Sequence, residues 1–174
     1  EEAIKDCTRA LELDPKNFFA YSNRGWARSL KGDLEGAISD CTRAIDLNPN
    51  VPQPYDTRGS ARLTQGEFEG ASQDFTRMIE LDPGSHDAHC HRAWAKINKG
   101  DYDGAIVDST RAIEIDPKEG YGYFCRALGS EGKGDLEASL VQYTKAVELD
   151  PKEASYIRGR GSARMSKGDP QGAL

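Results

Sequence analysis

The densest group of chemically capable side chains is His86, His89, Cys90 and His91, which holds every histidine of the chain and one of its four cysteines. Imidazole nitrogen and thiolate sulfur are the usual ligands of zinc and its relatives, and on a helix His86 and Cys90, four residues apart, share a face that could grip such an ion. His89 and His91 fall at other angles, and no further ligand pattern occurs elsewhere. Neither a metal nor any other cofactor is therefore expected. Cys7, Cys41, Cys90 and Cys125 form no C-x-x-C pair, and Cys7 and Cys41 stand 34 residues apart in equivalent surroundings. They read as reduced, buried, structural thiols. No nucleophile elbow, phosphate loop or H-E-x-x-H segment is present. The many carboxylates stand mostly in Gly-Asp and Asp-Pro pairs, where they read as caps and turns. No catalytic residue is expected, and the chain is not read as an enzyme.

Two other sets of residues recur at a fixed interval. Arg24, Arg58, Arg92, Arg126 and Arg160 are each 34 residues apart, as are Asp40, Asp74 and Asp108, with Thr42, Thr76 and Thr110 two residues further on. An arginine ladder is one way to read a phosphate or an acidic peptide. A ladder built into every period is more economically explained as a repeated Arg–Asp contact that locks the architecture. Trp26 and Trp94, the two tryptophans, fall at the same phase of that interval.

The elements that must position these residues follow from the same period. Asp-Pro or Asn-Pro ends at Pro15, Pro49, Pro83, Pro117 and Pro151, and Gly32, Gly66, Gly100, Gly134 and Gly168 keep the same 34-residue step, each followed by an acid. A period of this size marks a solenoid of stacked supersecondary units. Leu34, Ala37, Ile38, Cys41, Ala44, Ile45 and Leu47 recur at three- and four-residue steps and predict a helix with one apolar face. The stretch from Phe18 to Lys31 predicts a second helix before it. Gly32 supplies the positive φ that commonly closes a helix, Asp33 caps the next, and the proline ends that one by forcing the residue before it out of the α region. Each period thus reads helix A, tight turn, helix B, turn. Small residues at Gly25, Ala37 and Ala44 let helices approach closely, and enlarging Ala37 to Leu should overpack the hairpin at a cost of roughly 1 to 3 kcal/mol.

Tyr21, Gly25, Ala37, Ala44 and Pro49 resemble the tetratricopeptide repeat signature, an aromatic, a small residue, two alanines and a closing proline at fixed places in 34 residues. Tyr55, Gly59, Ala71, Phe75 and Pro83 repeat it, with Met78 at the second alanine. The third copy has Ala93, Ala105, Ala112 and Pro117, with His89 in the aromatic slot. The fourth has Tyr123, Ala127, Ala146 and Pro151, with Ser139 at the first alanine, and Ile157, Gly161 and Ala173 begin a fifth. The resemblance implies an all-α fold, an α-solenoid of antiparallel helix-turn-helix repeats forming a right-handed superhelix. It divides the chain, one array over 1–174, into helix B of a truncated repeat (1–17), full repeats at 18–51, 52–85, 86–119 and 120–153, and a partial repeat at 154–174.

The same resemblance implies a function. In this family helix A lines a concave groove that holds a partner, so the expected role is a protein-interaction scaffold or adaptor for a peptide or helix. Transferred by repeat phase, the groove residues are Phe19, Asn23 and Trp26 in the first full repeat, Asp56 and Thr57 in the second, Cys90, His91 and Trp94 in the third, Tyr121 and Phe124 in the fourth, and Arg158 in the last. One familiar use of the family, a cationic clamp on a chaperone's carboxylate tail, is not expected, because Ser22, Trp26, Thr57, Asp87 and His91 occupy the corresponding positions.

Composition narrows the partner class. With 37% apolar and 30% charged residues and a formal charge of -6, the chain offers no basic stripe for nucleic acid. No apolar run approaches the roughly 18 to 20 residues that span a bilayer, so membrane insertion is not expected. No signal-peptide pattern opens the sequence, and a cytoplasmic location is the expectation. Both ends cut through a repeat without a polar capping helix, which solenoids normally need. Two expectations follow: an excerpt of a longer array, or head-to-tail self-association. In the latter the helix near Tyr156 to Ser166 would dock on Ala3 to Leu13 of the next molecule. A non-catalytic arm of a larger enzyme or regulator is a third role compatible with the sequence.

Overall fold

The structure is a computed structural model, and it describes residues 1–168. Among these residues it is all-α, with ten helices and no strand: α1 (Glu2–Leu13), α2 (Phe18–Leu30), α3 (Leu34–Leu47), α4 (Pro52–Gln65), α5 (Phe68–Leu81), α6 (His86–Lys99), α7 (Tyr102–Ile115), α8 (Gly120–Gly132), α9 (Leu136–Leu149) and α10 (Ala154–Ser166). The sequence-predicted helix over Leu34–Leu47 and the one beginning at Phe18 have these bounds, the second closing one residue early at Leu30. The chain parts into two compact units, Glu1–Pro83 and Gly84–Leu174. The fifth-repeat position Ala173 lies outside the described residues.

The turns are built as the punctuation residues require. Gly32 has φ +82°, a conformation costly for any residue with a Cβ, and the Asp33 amide reaches back to the Arg28 carbonyl at 3.0 Å to satisfy the end of α2. Asp33 then caps α3 by accepting from the Gly36 amide at 3.0 Å. Asp101 and Asp135 cap α7 and α9 in the same way, whereas Glu67 makes no side-chain cap on α5. At the other end of helix B the residue before proline is extended, with φ of -146° at Asn48 and -131° at Asp150. The side chain at this position also shapes the turn that follows. Asp14, Asn48, Asp116 and Asp150 each accept from the amide two residues on, at 2.9 to 3.2 Å. That bond explains why Asp or Asn, and not another polar residue, precedes these prolines.

In the first unit α2 packs against α3 and α4 against α5, with α1 against α2 and α3 against α4. Close approach depends on the missing side chain at Gly59, where an added Cβ would stand 2.8 Å from the Phe75 ring. In the second unit the order is the same: α6 on α7, α8 on α9, α7 on α8 and α9 on α10. Here Phe124, Tyr143, Val147 and Tyr156 close around Ala127, Ala146 and Ala163. Tyr143 is fully buried, its ring filling the space opposite Gly159 and its hydroxyl donating to Glu131 at 2.7 Å.

Candidate functional site

In α2, α4 and α6, the helix A of the first three full repeats, the repeated arginines lie on the face packed against the following helix. Arg24 on α2 grips Asp40 on α3 through Nε at 2.8 Å and Nη2 at 2.7 Å, and its Nη1 donates to Thr8 on α1 at 3.1 Å. One guanidinium thus ties its own hairpin to the helix before it. Arg58 repeats the arrangement with Asp74 at 2.6 Å and Thr42 at 3.0 Å. A second cation joins each carboxylate, Arg28 on Asp40 at 2.8 Å and Arg62 on Asp74 at 2.7 Å. In the second unit Arg92 and Lys96 hold Asp108 at 2.6 and 2.8 Å. Burial opposes ionisation of Asp108, but the bonds from Arg92 and Lys96 overcome it and hold the carboxyl below the ordinary carboxylate value. The fourth copy of the lock is gone: Gln142 replaces the acid and Ser130 the second cation. These arginines are architectural, and no ladder is left open to an anion on α2 or α4.

The outer face of α2 is apolar and open. Phe19 is 64% exposed, Trp26 54% and Leu30 70%, at spacings of seven and four residues that place them on one side of the helix. Between α2 and α4 this face borders an open pocket of about 470 Å³, lined by Phe18, Phe19, Ser22, Asn23, Trp26, Val51, Gln53 and Asp56. The pocket's polar side is a chain of hydrogen bonds in which Ser22 meets Gln53, and Gln53 Nε2 donates to Thr57 Oγ1 at 3.0 Å. The Phe18 and Phe19 rings lie 3.9 Å apart between centroids.

The sequence-predicted residues divide sharply. Phe19, Asn23, Trp26 and Asp56 are brought together around the pocket of the first unit. Thr57 is buried, so its predicted surface position is corrected to a packing one; its hydroxyl faces Gln53 and the Cys41 thiol. Cys90 and Phe124 require the same correction. Cys90 is fully enclosed beneath α8, where Cys125 Sγ lies 3.9 Å from its carbonyl, and Phe124 is a core ring. Trp94 is half-buried and stacks on Phe124, with centroids 6.2 Å apart and planes 19° from parallel. Tyr121 is half-buried beside Phe124 and edge-on to His91, whose ring is 6.4 Å away. Arg158 is exposed on α10.

The histidine cluster does not converge. His86 Nε2 comes within 3.5 Å of Cys90 Sγ, but His89 is buried toward Asp108, 3.9 Å from its carboxylate, and His91 turns to Tyr121. Among the described residues no group of three or more His, Cys, Asp or Glu is placed to hold a metal ion. Burial pushes the Cys41 thiol up to about 12, and the hydrogen bond with the neighbouring Cys125 thiol, together with burial, raises Cys90 as well. Two features escaped sequence reading. One is the second cation on each buried acid, signalled by Arg28, Arg62 and Lys96 at the 34-residue interval; the other is the Gln53 contact that closes one side of the pocket.

Comparison with known proteins agrees with this geometry. Two family models of the tetratricopeptide repeat match residues 18–51 and 57–119. A third, the protein prenyltransferase alpha subunit repeat, matches residues 1–29, confined to α1 and α2. No curated protein sequence matches significantly. Among solved structures, MamA residues 41 to the end from Desulfovibrio magneticus RS-1 is similar over 90% of this chain and 88% of its own, at 23% identity and a TM-score of 0.79. A tetratricopeptide repeat protein from Parabacteroides merdae covers 98% and 68%, at 20% identity and a TM-score of 0.86. YrrB, described as a tetratricopeptide repeat protein with an unusual peptide-binding site, covers 97% and 87% at 20% identity and a TM-score of 0.75. These identities speak for the fold alone. On its matched repeats, its 34-residue hairpins and its fold, the chain belongs to the tetratricopeptide repeat family.

Proposed function

We propose that this protein-interaction scaffold holds a peptide or helix of a partner protein on the helix A face of its first unit, anchored at the pocket between α2 and α4. The observation that carries the reading is the row Phe19, Trp26 and Leu30, three large apolar side chains left open beside a preformed pocket. Aromatic anchors flanking a pocket supply a disproportionate share of recognition energy. A peptide-binding site in YrrB, a protein of like fold, is in keeping with this use. Asn23 and Asp56 supply polar groups on this face in this reading. Thr57 serves it only from beneath, through the bond it accepts from Gln53. No catalysis, cofactor or metal enters the mechanism, and among the described residues no helix is long and apolar enough to cross a membrane.

The test is capture of partners from a cell extract with the whole chain, its Trp26→Ala and Phe19→Ala variants, and mass spectrometry of what is retained. Partners lost with both variants, while the circular dichroism spectrum is unchanged, support the reading. Identical capture by all three proteins contradicts it.

A second reading is favoured by the exposed apolar residues at the chain's outer helices: Ile157 and Met165 on α10 and Leu13 on α1. In it α10 of one molecule stacks on α1 of the next, making an open head-to-tail chain. Light scattering over a wide concentration range distinguishes it: growth in mass that Met165→Glu abolishes supports stacking, and a strict monomer rejects it.

A further inference from the structure

The fourth full repeat keeps the arginine of the lock and loses what holds it. Arg24, Arg58 and Arg92 each grip an acid on the following helix, whereas the α9 residue in register with Arg126 is the neutral Gln142. Among the described residues neither Arg126 nor Gln142 makes a hydrogen bond or an ion pair, although both are half-buried. The bond to the preceding helix is missing too. Thr8 and Thr42 accept from Arg24 and Arg58, but Thr110, in the same place, donates to the Ile106 carbonyl at 2.6 Å and receives nothing from Arg126. A half-buried guanidinium with its donors unused has lost hydration without gaining a partner.

The gap adjoins a pocket. Tyr123 stands where Tyr21 and Tyr55 lie under Arg24 and Arg58, at 5.6 and 5.7 Å from ring centroid to guanidinium, and it is three residues from Arg126 on one helix face. Tyr123 and Gln142 both line an open pocket of about 530 Å³ on α8 and α9, with Leu140, Val141 and Thr144. Val141 is 63% exposed there. The two acids of the lining are already answered, Glu148 by Lys145 at 3.2 Å and Glu137 by Lys167. Arg126 is left as a cation that nothing offsets.

We infer that the broken lock at Arg126 and Gln142 is a receptor for an acidic side chain of a partner protein. An Asp or Glu enters from outside at the place that Asp40, Asp74 and Asp108 hold in the other repeats and takes the paired hydrogen bonds that a guanidinium gives a carboxylate. An apolar residue beside it in the partner covers Tyr123 and Val141. A basic side chain is repelled by the guanidinium. A phosphate is poorly served, because its further charge needs the second cation, and Ser130 stands where Arg28, Arg62 and Lys96 supply one. This goes beyond the reading at α2 and α4, since Arg126 and Gln142 belong to the second unit.

A phage-displayed library of random dodecapeptides, selected on the whole chain, tests this. The expected result is an enriched set that shares Asp or Glu at one aligned position and is released by Arg126→Gln. Changing that acid to Asn or Gln in the synthetic peptide should weaken binding about tenfold, as the loss of a charge-assisted hydrogen bond does. Gln142→Asp supplies the acid from within the chain. It should raise the urea midpoint of unfolding and weaken the same peptides about tenfold. Circular dichroism checks that both variants fold. Peptides released by Arg126→Gln that share no acid, or acidic peptides that Gln142→Asp leaves bound as tightly, overturn the inference. So does a selection in which nothing enriched depends on Arg126.

Discussion

Trp26 and Trp94 occupy one position of the repeat and meet different fates, because each is answered by the residue thirty positions on. Phe124 gives Trp94 a ring to stack on, whereas the matching residue for Trp26 is Asp56, and the indole stays open. The phase of the repeat was legible in the sequence and put both side chains on the same face. Their separation was not, since it depends on a cross-helix neighbour that periodicity alone does not weigh. Stability should divide them. Trp94→Ala should lower unfolding free energy by about 2 to 3 kcal/mol through lost packing, while Trp26→Ala should stay within about 1 kcal/mol, both read from urea denaturation. The thiols also behave as buried groups. With Cys41 fully enclosed and raised to about 12, and Cys90 fully enclosed and raised as well, neither should react with a thiol reagent at neutral pH until the protein unfolds. Rapid native-state labelling of Cys41 or Cys90 would contradict the packing of α3 or α6.

At the scale of the elements, the hairpin is held by a buried carboxylate shared between two cations and by a glycine turn. Spacing alone anticipated the Arg–Asp contact and the positive φ of Gly32. It missed the second cation, because Arg28 and Lys96 read as ordinary last-turn residues until the acid's position is known. Removing the acid from such a set leaves like charges facing each other, so Asp74→Asn should destabilise by about 3 to 5 kcal/mol. Asp108 adds a pH signature. Its folded-state value is depressed, so its contribution is complete above the ordinary value of 3.8 and is lost as pH falls below that toward the lowered value. Acid titration of unfolding free energy should therefore fall more steeply below that pH in the wild type than in Asp108→Asn; parallel curves would deny Asp108 this role. At the turn, Gly66 has φ +80°, and Gly66→Ala should cost about 1 to 2 kcal/mol in thermal or urea unfolding.

For the molecule as a whole, the fold was legible almost entirely because two kinds of punctuation, Gly-acid and Asp-Pro, keep one period through every repeat. The binding face was legible only as a set of helix A positions. The structure brings together Phe19, Asn23, Trp26 and the half-buried Asp56 in the first unit, and moves Thr57, Cys90 and Phe124 into the packing. The break of the Arg–Asp lock at Gln142 and Ser130 falls in the second unit, where a larger aromatic core around Tyr143 takes over the work of holding α8 to α9.

Whether a partner peptide lies on the α2–α4 face is decided most directly by hydrogen exchange of the whole chain with and without a partner retained in the extract capture. Added protection concentrated in residues 18–30 and 51–64, and its disappearance in Trp26→Ala, is the expected result. Protection confined to other helices, or unchanged by that substitution, would contradict binding at this face.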